Sequence, residues 1–296
     1  MTTKQKWEKV LYKDQGAPDN YVDPSFLSEL RKNLYIREYH LPMLIVSAGS
    51  VYQQFCCIGI FLTIYFYLLF QWISPLRASA LLGSTAVIGY LTFWGISTIF
   101  RGHIGKVGLE LRTGVFIFVF SFLFAPILHS LLATVSTDTI YALSSLFLLA
   151  NWLFLDYRTH SEEYVYEPGS NTTAISSSLL ATLCLASRLP SAHHTFTLLQ
   201  AWTIIFALWP ILVQLIRVCL EWKGQLGITL SVGLVFHLLL CPILYHEAPI
   251  ELQVWTCVLI TVALVVLNFV GPWVLVRMQS MKKNIHGPWD EAVIDS

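Results

Sequence analysis

Across 296 residues, apolar side chains make up 55% and charged ones only 12%, with a mean hydropathy of +0.63. A soluble domain would carry about 25% charged residues, so the composition excludes an ordinary water-soluble fold. Lys/Arg and Asp/Glu balance at 18 each, and no charge excess points to nucleic acid or to an acidic substrate.

Residues 1–40 form a polar arm with seven Lys/Arg. The first apolar run starts near Leu41, so no cleavable leader is expected and that run would act as an uncleaved signal-anchor. Asp23-Pro24 has the form of an N-cap followed by a first-turn proline. From there a helix over 24–39 places Phe26, Leu27, Leu30 and Leu34 on one face. This amphipathic helix suits either the membrane interface or a partner surface.

Eight apolar segments follow, at about 43–70, 79–100, 114–132, 139–157, 173–189, 195–216, 225–245 and 252–276. The first exceeds one span and must tilt or protrude. The fourth is bounded by Asp138, placed as an N-cap in Ser-Thr-Asp-Thr, and by Asp156 and Arg158. The fifth is short and opens with Ser176, Ser177 and Ser178, which suits a helix packed inside a bundle. With eight spans and a cytosolic N-terminus, 16 of the 18 Lys/Arg lie on the cytosolic side; without the fifth segment the split falls to 12 against 6. The positive-inside rule therefore favours eight spans with both termini cytosolic. The expected fold is an all-α integral membrane protein: an N-terminal arm (1–40), a polytopic bundle of about eight transmembrane helices (41–276) and a cytosolic tail (277–296). The sequon Asn171-Thr172-Thr173 then falls on the cytosolic side and is expected to be unmodified.

No catalytic constellation stands out: there is no phosphate-cradling Gly-rich loop before Lys-Ser/Thr, no G-x-S-x-G and no H-E-x-x-H. The longest polar stretch is the forty-residue arm, too small to fold around a sugar nucleotide. The six cysteines lie in or beside apolar runs without ligand spacing, so packing is their expected role and no metal or cofactor is expected. Asp138 and Arg188 fall at similar depth on the far side, where they either pair across the bundle or meet water separately. His193 and His194 share that short loop. His129, His237, Asn151 and Asn268 lie within spans and suit interhelical hydrogen bonds. On the cytosolic side, Arg101, Lys106, Arg112, Arg158, Arg217 and Lys223 are placed to meet lipid headgroups or simply to set topology.

Five strings add more: VLYKDQGAPDNYVDPSFLSELRKN (10–33), VSTDTIYALS (135–144), CLASRLP (184–190), FALWP (206–210) and NIHGPWDEA (284–292). In order and over nearly the whole chain, they resemble the phosphatidylinositol glycan class C family, the C subunits of the phosphatidylinositol N-acetylglucosaminyltransferase complex. The loop containing SEEYVYEPGS departs from the family's pattern. The resemblance implies an endoplasmic reticulum membrane protein in a complex that moves N-acetylglucosamine from its UDP donor to phosphatidylinositol. This is the first step of glycosylphosphatidylinositol anchor synthesis. It further implies that the catalytic glycosyltransferase is a different polypeptide, with further small membrane subunits around it, and it carries over no catalytic residue.

This chain is then expected to scaffold the complex or position the lipid. Arg101, Arg158 and Arg217 are the candidates for the acceptor's phosphate, and Asp138 and Arg188 for structural polar roles. Phe26, Leu30 and Leu34 with Trp289 and Asp290 are candidates for docking partners. Composition alone also allows a stand-alone transporter or lipid scramblase. An intramembrane enzyme is disfavoured, because Asp138 and Asp156 sit at opposite interfaces.

Overall fold

The computed structural model describes residues 31–32, 39–99, 111–157, 171–247, 250–282 and 285–286. They fall into two units, taken separately: one runs from Leu41 to Pro272, and the other joins residues up to His40 with those from Trp273 onward.

The larger unit is helical throughout its described length. Its elements are α1 (Leu41–Leu69), α2 (Pro75–Ile99), α3 (Leu111–Leu131), α4 (Thr137–Phe154), α5 (Thr172–Ala186), α6 (Ala192–Trp202), α7 (Trp209–Glu247) and α8 (Ile250–Val265). A π turn at Thr203–Leu208 joins α6 to α7, and a second at Val266–Val270 joins α8 to α9 (Gly271–Gln279). Among the described residues these make seven helical stretches, one of them broken inside α7. Five stretches are long and apolar enough to cross a membrane: Leu41–Leu69, Pro75–Ile99, Gly114–Leu131, Ala192–Pro242 and Val258–Gln279. The chain is an all-helical, polytopic membrane protein. The short α4 and α5 are not among those five, because Asp138, Ser144, Ser145 and Asn151 dilute the first and the second, though apolar, has only 15 residues.

Ala192–Pro242 spans 51 residues, about 75 Å of straight helix, against a hydrocarbon core of about 30 Å. It is not straight. Glu221 has φ 49° and ψ −134°, a break in the helical path. Val213 and Ile216 before the break share one core with Ile228, Val232 and Phe236 after it, around Cys56 and Cys57 of α1. A straight rod would hold Val213 and Phe236 about 35 Å apart; the chain instead folds back at Glu221.

α1 is the central helix, and its partners show its direction. Gln53 meets Gln225 and Thr229, while Tyr67 donates to the carbonyl of Leu239, so α1 and the later part of α7 run parallel. Gln54 meets Asn151 and Tyr65 meets Tyr141, so α1 and α4 run antiparallel. Phe61, fully buried, stands edge-on to Phe206 at 5.4 Å. Two glycines let the helices close: a Cβ on Gly59 would fall 2.2 Å from the Phe236 ring, and one on Gly233 2.3 Å from the Tyr52 hydroxyl.

α5 packs on α4, and its buried face of Ala174, Ser177, Ser178 and Ala181 is made of small side chains that permit close approach. Its hydroxyls return to their own helix, Ser177 to the Ala174 carbonyl and Thr182 to that of Ser178. The outer faces of α2, α3 and α8 present large apolar groups such as Leu91, Phe120 and Leu259, as expected of surfaces facing lipid.

Both π turns end two residues before a proline, Pro210 and Pro272. Proline lacks an N–H and crowds the carbonyl four residues back. The ladder widens just ahead of it, so that Trp209 N–H reaches Ile204 O and Gly271 N–H reaches Val266 O, five residues back.

Two expectations need correction. The helix over 24–39 is not continuous: Arg31–Lys32 pair antiparallel with Ile285–His286 in the smaller unit, and Tyr39 N–H donates to the Gln279 side chain. Backbone groups that would have served a helix are engaged with the tail instead. Asp138 is also not the N-cap of α4. Ser136 holds that position, with φ −64° and ψ 146°, and its hydroxyl accepts from Thr139 N–H. Asp138 lies in the first turn, where its charge faces the positive helix end.

Candidate functional site

Polar side chains inside an apolar bundle require a reason, because each needs a hydrogen-bonding partner there. They gather at the two ends of the larger unit.

At one end sits Arg188, in the turn between α5 and α6. Its Nη2 donates to the carbonyls of Leu132 and Val135, at 2.8 and 2.6 Å, closing the C-terminal end of α3. It does not pair with Asp138, which is exposed. A guanidinium beside the carbonyls of this turn gains charge-assisted bonds where they lie, without drawing a carboxylate out of water. Thr197 donates to the carbonyl of Pro75 at the same end, and Ser191 shares a hydrogen bond with His194 Nδ1. These contacts tie α2, α3, α5 and α6 together.

At the other end, adjacent glutamines of α1 point to opposite sides. Gln54 donates to Asn151 Oδ1 at 2.6 Å, and Asn151 Nδ2 donates to the carbonyl of Ala174 at 2.7 Å, linking α1, α4 and α5. Gln53 donates to Thr229 Oγ1 at 2.8 Å and accepts from Arg217 Nη2 at 2.9 Å. Arg217 Nε donates to Gln225 Oε1. The contact between residues 217 and 225 exists because the chain turns between them. Gly49 leaves room for this layer: a Cβ there would lie 2.9 Å from Thr229 Oγ1 and 3.4 Å from Gln225 Nε2.

Gln53, Gln54 and Gln225 are at most 6% exposed, and Arg217 is half-buried. Both partners of the Arg217 guanidinium are neutral amides, and among the described residues no carboxylate pairs with it. Glu221, at the turn, is exposed. Trp222 and Lys223 follow it at the surface, the ammonium 5.7 Å from the ring centroid. This is the kind of aromatic and basic pair found at headgroup level.

Of the residues singled out from sequence, Arg217 thus stands in a built polar layer. Asp138 and Arg188 are described and stand apart from each other, whereas Arg101, Arg158, Phe26, Leu30, Leu34, Trp289 and Asp290 lie outside the described residues. Asn151 makes the interhelical bonds expected of it. His129 is 3.5 Å from Thr195 Oγ1 of α6, a long contact. His237 bonds within its own helix, to the Gly233 carbonyl, and Asn268 Oδ1 is buried in the second π turn with no partner among the described residues. The glutamines are not among the residues that sequence reasoning singles out. A signal for them exists all the same: an adjacent Gln pair in the middle of an apolar run is costly in hydrocarbon unless both amides find partners.

The sequence matches, over residues 7–290, the family GPI2, described as phosphatidylinositol N-acetylglucosaminyltransferase. The phosphatidylinositol N-acetylglucosaminyltransferase C subunit of Homo sapiens is 35% identical, covering 99% of this chain and 94% of the relative. That of Bos taurus is 34% identical over the same shares, and the GPI2 subunit of Schizosaccharomyces pombe is 26% identical over 98% and 87%. No solved structure matches. With a family match and relatives that run from the arm through every helix to the tail, the chain belongs to the GPI2 family, the C subunits of phosphatidylinositol N-acetylglucosaminyltransferase.

Proposed function

We propose that this chain is the membrane-embedded C subunit of a complex that transfers N-acetylglucosamine from UDP-N-acetylglucosamine to phosphatidylinositol, the first step of glycosylphosphatidylinositol anchor synthesis. The observation that carries this reading is the near full-length similarity to proteins named as that component. The chain acts as a scaffold that holds a catalytic glycosyltransferase and smaller membrane subunits, and it presents the lipid acceptor. Holding both substrates in register removes a large entropic part of the barrier without an acid or base from this chain.

Eight crossings, both termini cytosolic and residence in the endoplasmic reticulum complete the proposal. The break at Glu221 supports the eighth crossing. So does direction: α1 runs antiparallel to α4 and parallel to the later part of α7, as first, fourth and seventh spans must. The layer of Gln53, Gln54, Asn151 and Arg217 is then at the cytosolic end, and the Arg188 turn at the luminal end. Phe26, Leu30, Leu34, Trp289 and Asp290 are proposed to dock partners, and Arg101, Arg158 and Arg217 to meet the acceptor's headgroup.

The test is gentle purification from the native membrane, followed by an assay of labelled N-acetylglucosamine transfer to phosphatidylinositol. Co-purification of a glycosyltransferase with activity is expected. A lone, monodisperse and inactive chain would return the reading to a transporter or scramblase.

A further inference from the structure

The Arg217 guanidinium is held from behind and left open in front. Two of its N–H groups are engaged, one on Nε with Gln225 and one on Nη2 with Gln53. Nη1 has no hydrogen bond to a described residue, and Arg217 as a whole is half-buried. Both of its hydrogens and the second of Nη2 therefore remain, and together they form the forked edge that matches two oxygens of a phosphate.

A hub role alone does not account for an arginine here. The two glutamine oxygens could be satisfied by a neutral donor, sparing a charge in apolar surroundings. Amide oxygens solvate the guanidinium without cancelling it, so the net positive charge persists. Arg217 lies four residues before the turn at Glu221, about 6 Å of helix below it, and Trp222 and Lys223 mark headgroup level at that turn. An anion that meets the guanidinium at this depth is attached to a lipid.

We infer that Arg217, oriented by Gln53 and Gln225, binds the phosphodiester of a cytosolic-leaflet membrane lipid, and that the lipid is the phosphatidylinositol acceptor. The identity of the lipid rests on the function proposed above; the phosphate site rests on the geometry alone. Gln53 and Gln225 are positioning residues, and Gly49 provides the space in which the Gln225 amide sits.

The test uses the purified full chain in detergent with radiolabelled phosphatidylinositol. Wild type is expected to retain the lipid, Arg217→Gln to lose at least about tenfold in affinity, and Arg217→Lys, which keeps the charge but loses the fork, to fall between the two. Thermal unfolding of each variant accompanies the binding. Arg217→Gln that unfolds normally and binds as wild type would overturn the inference. So would displacement of the lipid by millimolar inorganic phosphate, since that marks a site for a soluble anion.

A second measurement needs no variant. Phosphatidylinositol carrying a photoreactive group beside its phosphate should cross-link within residues 209–225, and cross-links confined to other segments would refute the site. Lipid retention does not depend on a transferase. If no transferase co-purifies but the lipid cross-links at 209–225, the complex reading fails while the phosphate site stands.

Discussion

Gln54 of α1 and Asn151 of α4 meet side chain to side chain at 2.6 Å, and the Asn151 amide passes the contact on to the Ala174 carbonyl of α5. One asparagine thereby fixes the register of three helices. Asn151→Leu leaves the Gln54 amide and the Ala174 carbonyl unpaired inside the bundle. A loss of about 1 kcal/mol is expected, in the range found for interhelical hydrogen bonds in membranes. Gln54→Leu added to Asn151→Leu should recover part of it, because the two facing groups leave together. Thermal unfolding of the four proteins in one detergent measures both effects, and a double variant no better than the single would refute the pairing.

Arg188 acts on carbonyls and not on Asp138. Arg188→Gln is expected to destabilise by about 1.5 to 3 kcal/mol, the scale of hydrogen bonds to a charged group. A double-mutant cycle with Asp138→Asn should give a coupling below about 0.5 kcal/mol. A larger coupling would restore the ion pair.

The N-terminal end of α4 separates two residues that look alike in sequence. Ser136→Ala is expected to cost about 1 kcal/mol as loss of a cap. Asp138→Asn should cost less, about 0.5 kcal/mol, through its interaction with the helix end, and should shrink in high salt. The reverse ranking in unfolding experiments would return the cap to Asp138.

Gly59 lets the Phe236 ring lie against the α1 backbone. Gly59→Ala is expected to destabilise by about 1 to 3 kcal/mol through overpacking, and Phe236→Leu should relieve it. If Gly59→Ala costs the same in both backgrounds, the contact is not what selects glycine.

Asn171 sits in a glycosylation sequon, yet its Oδ1 accepts from Asp156 N–H at 2.9 Å, just ahead of α5. In the proposed orientation that side is cytosolic, and no glycan is expected. A mobility shift on endoglycosidase digestion, lost in Asn171→Gln, would invert the proposed orientation.

Much of the fold was legible because hydrocarbon imposes simple demands: long apolar runs with charges at their ends. The segments at 139–157 and 173–189 were found this way, although neither helix is long by itself. Local signals were weaker guides. Ser136 and Asp138 both suit an N-cap, and only the helix's actual start decides between them. The arm's apolar spacing suits a helix, but Arg31 and Lys32 pair with Ile285 and His286 near the far end of the chain, which no local pattern can announce. Arg217 could be suspected from its charge alone. Its holders, Gln53 and Gln225, meet it only through the reversal at Glu221, whose one local mark is Gly224, where a Cβ would fall 2.8 Å from the Leu220 side chain and 3.0 Å from the Ile216 carbonyl.

The π turn at Thr203–Leu208 holds about one residue more than an α-helical turn would. The widened turn takes up the roughly 100° that an extra residue would add in regular helix, so the winding on either side stays in phase. Deleting one residue from 203–208 should therefore let the turn close to α-helix and leave Arg217 facing Gln53. Adding one residue there, where the spare place is already filled, should instead swing Arg217 away although every side chain of the polar layer were still present. The segment carries a slack of one residue in one direction only.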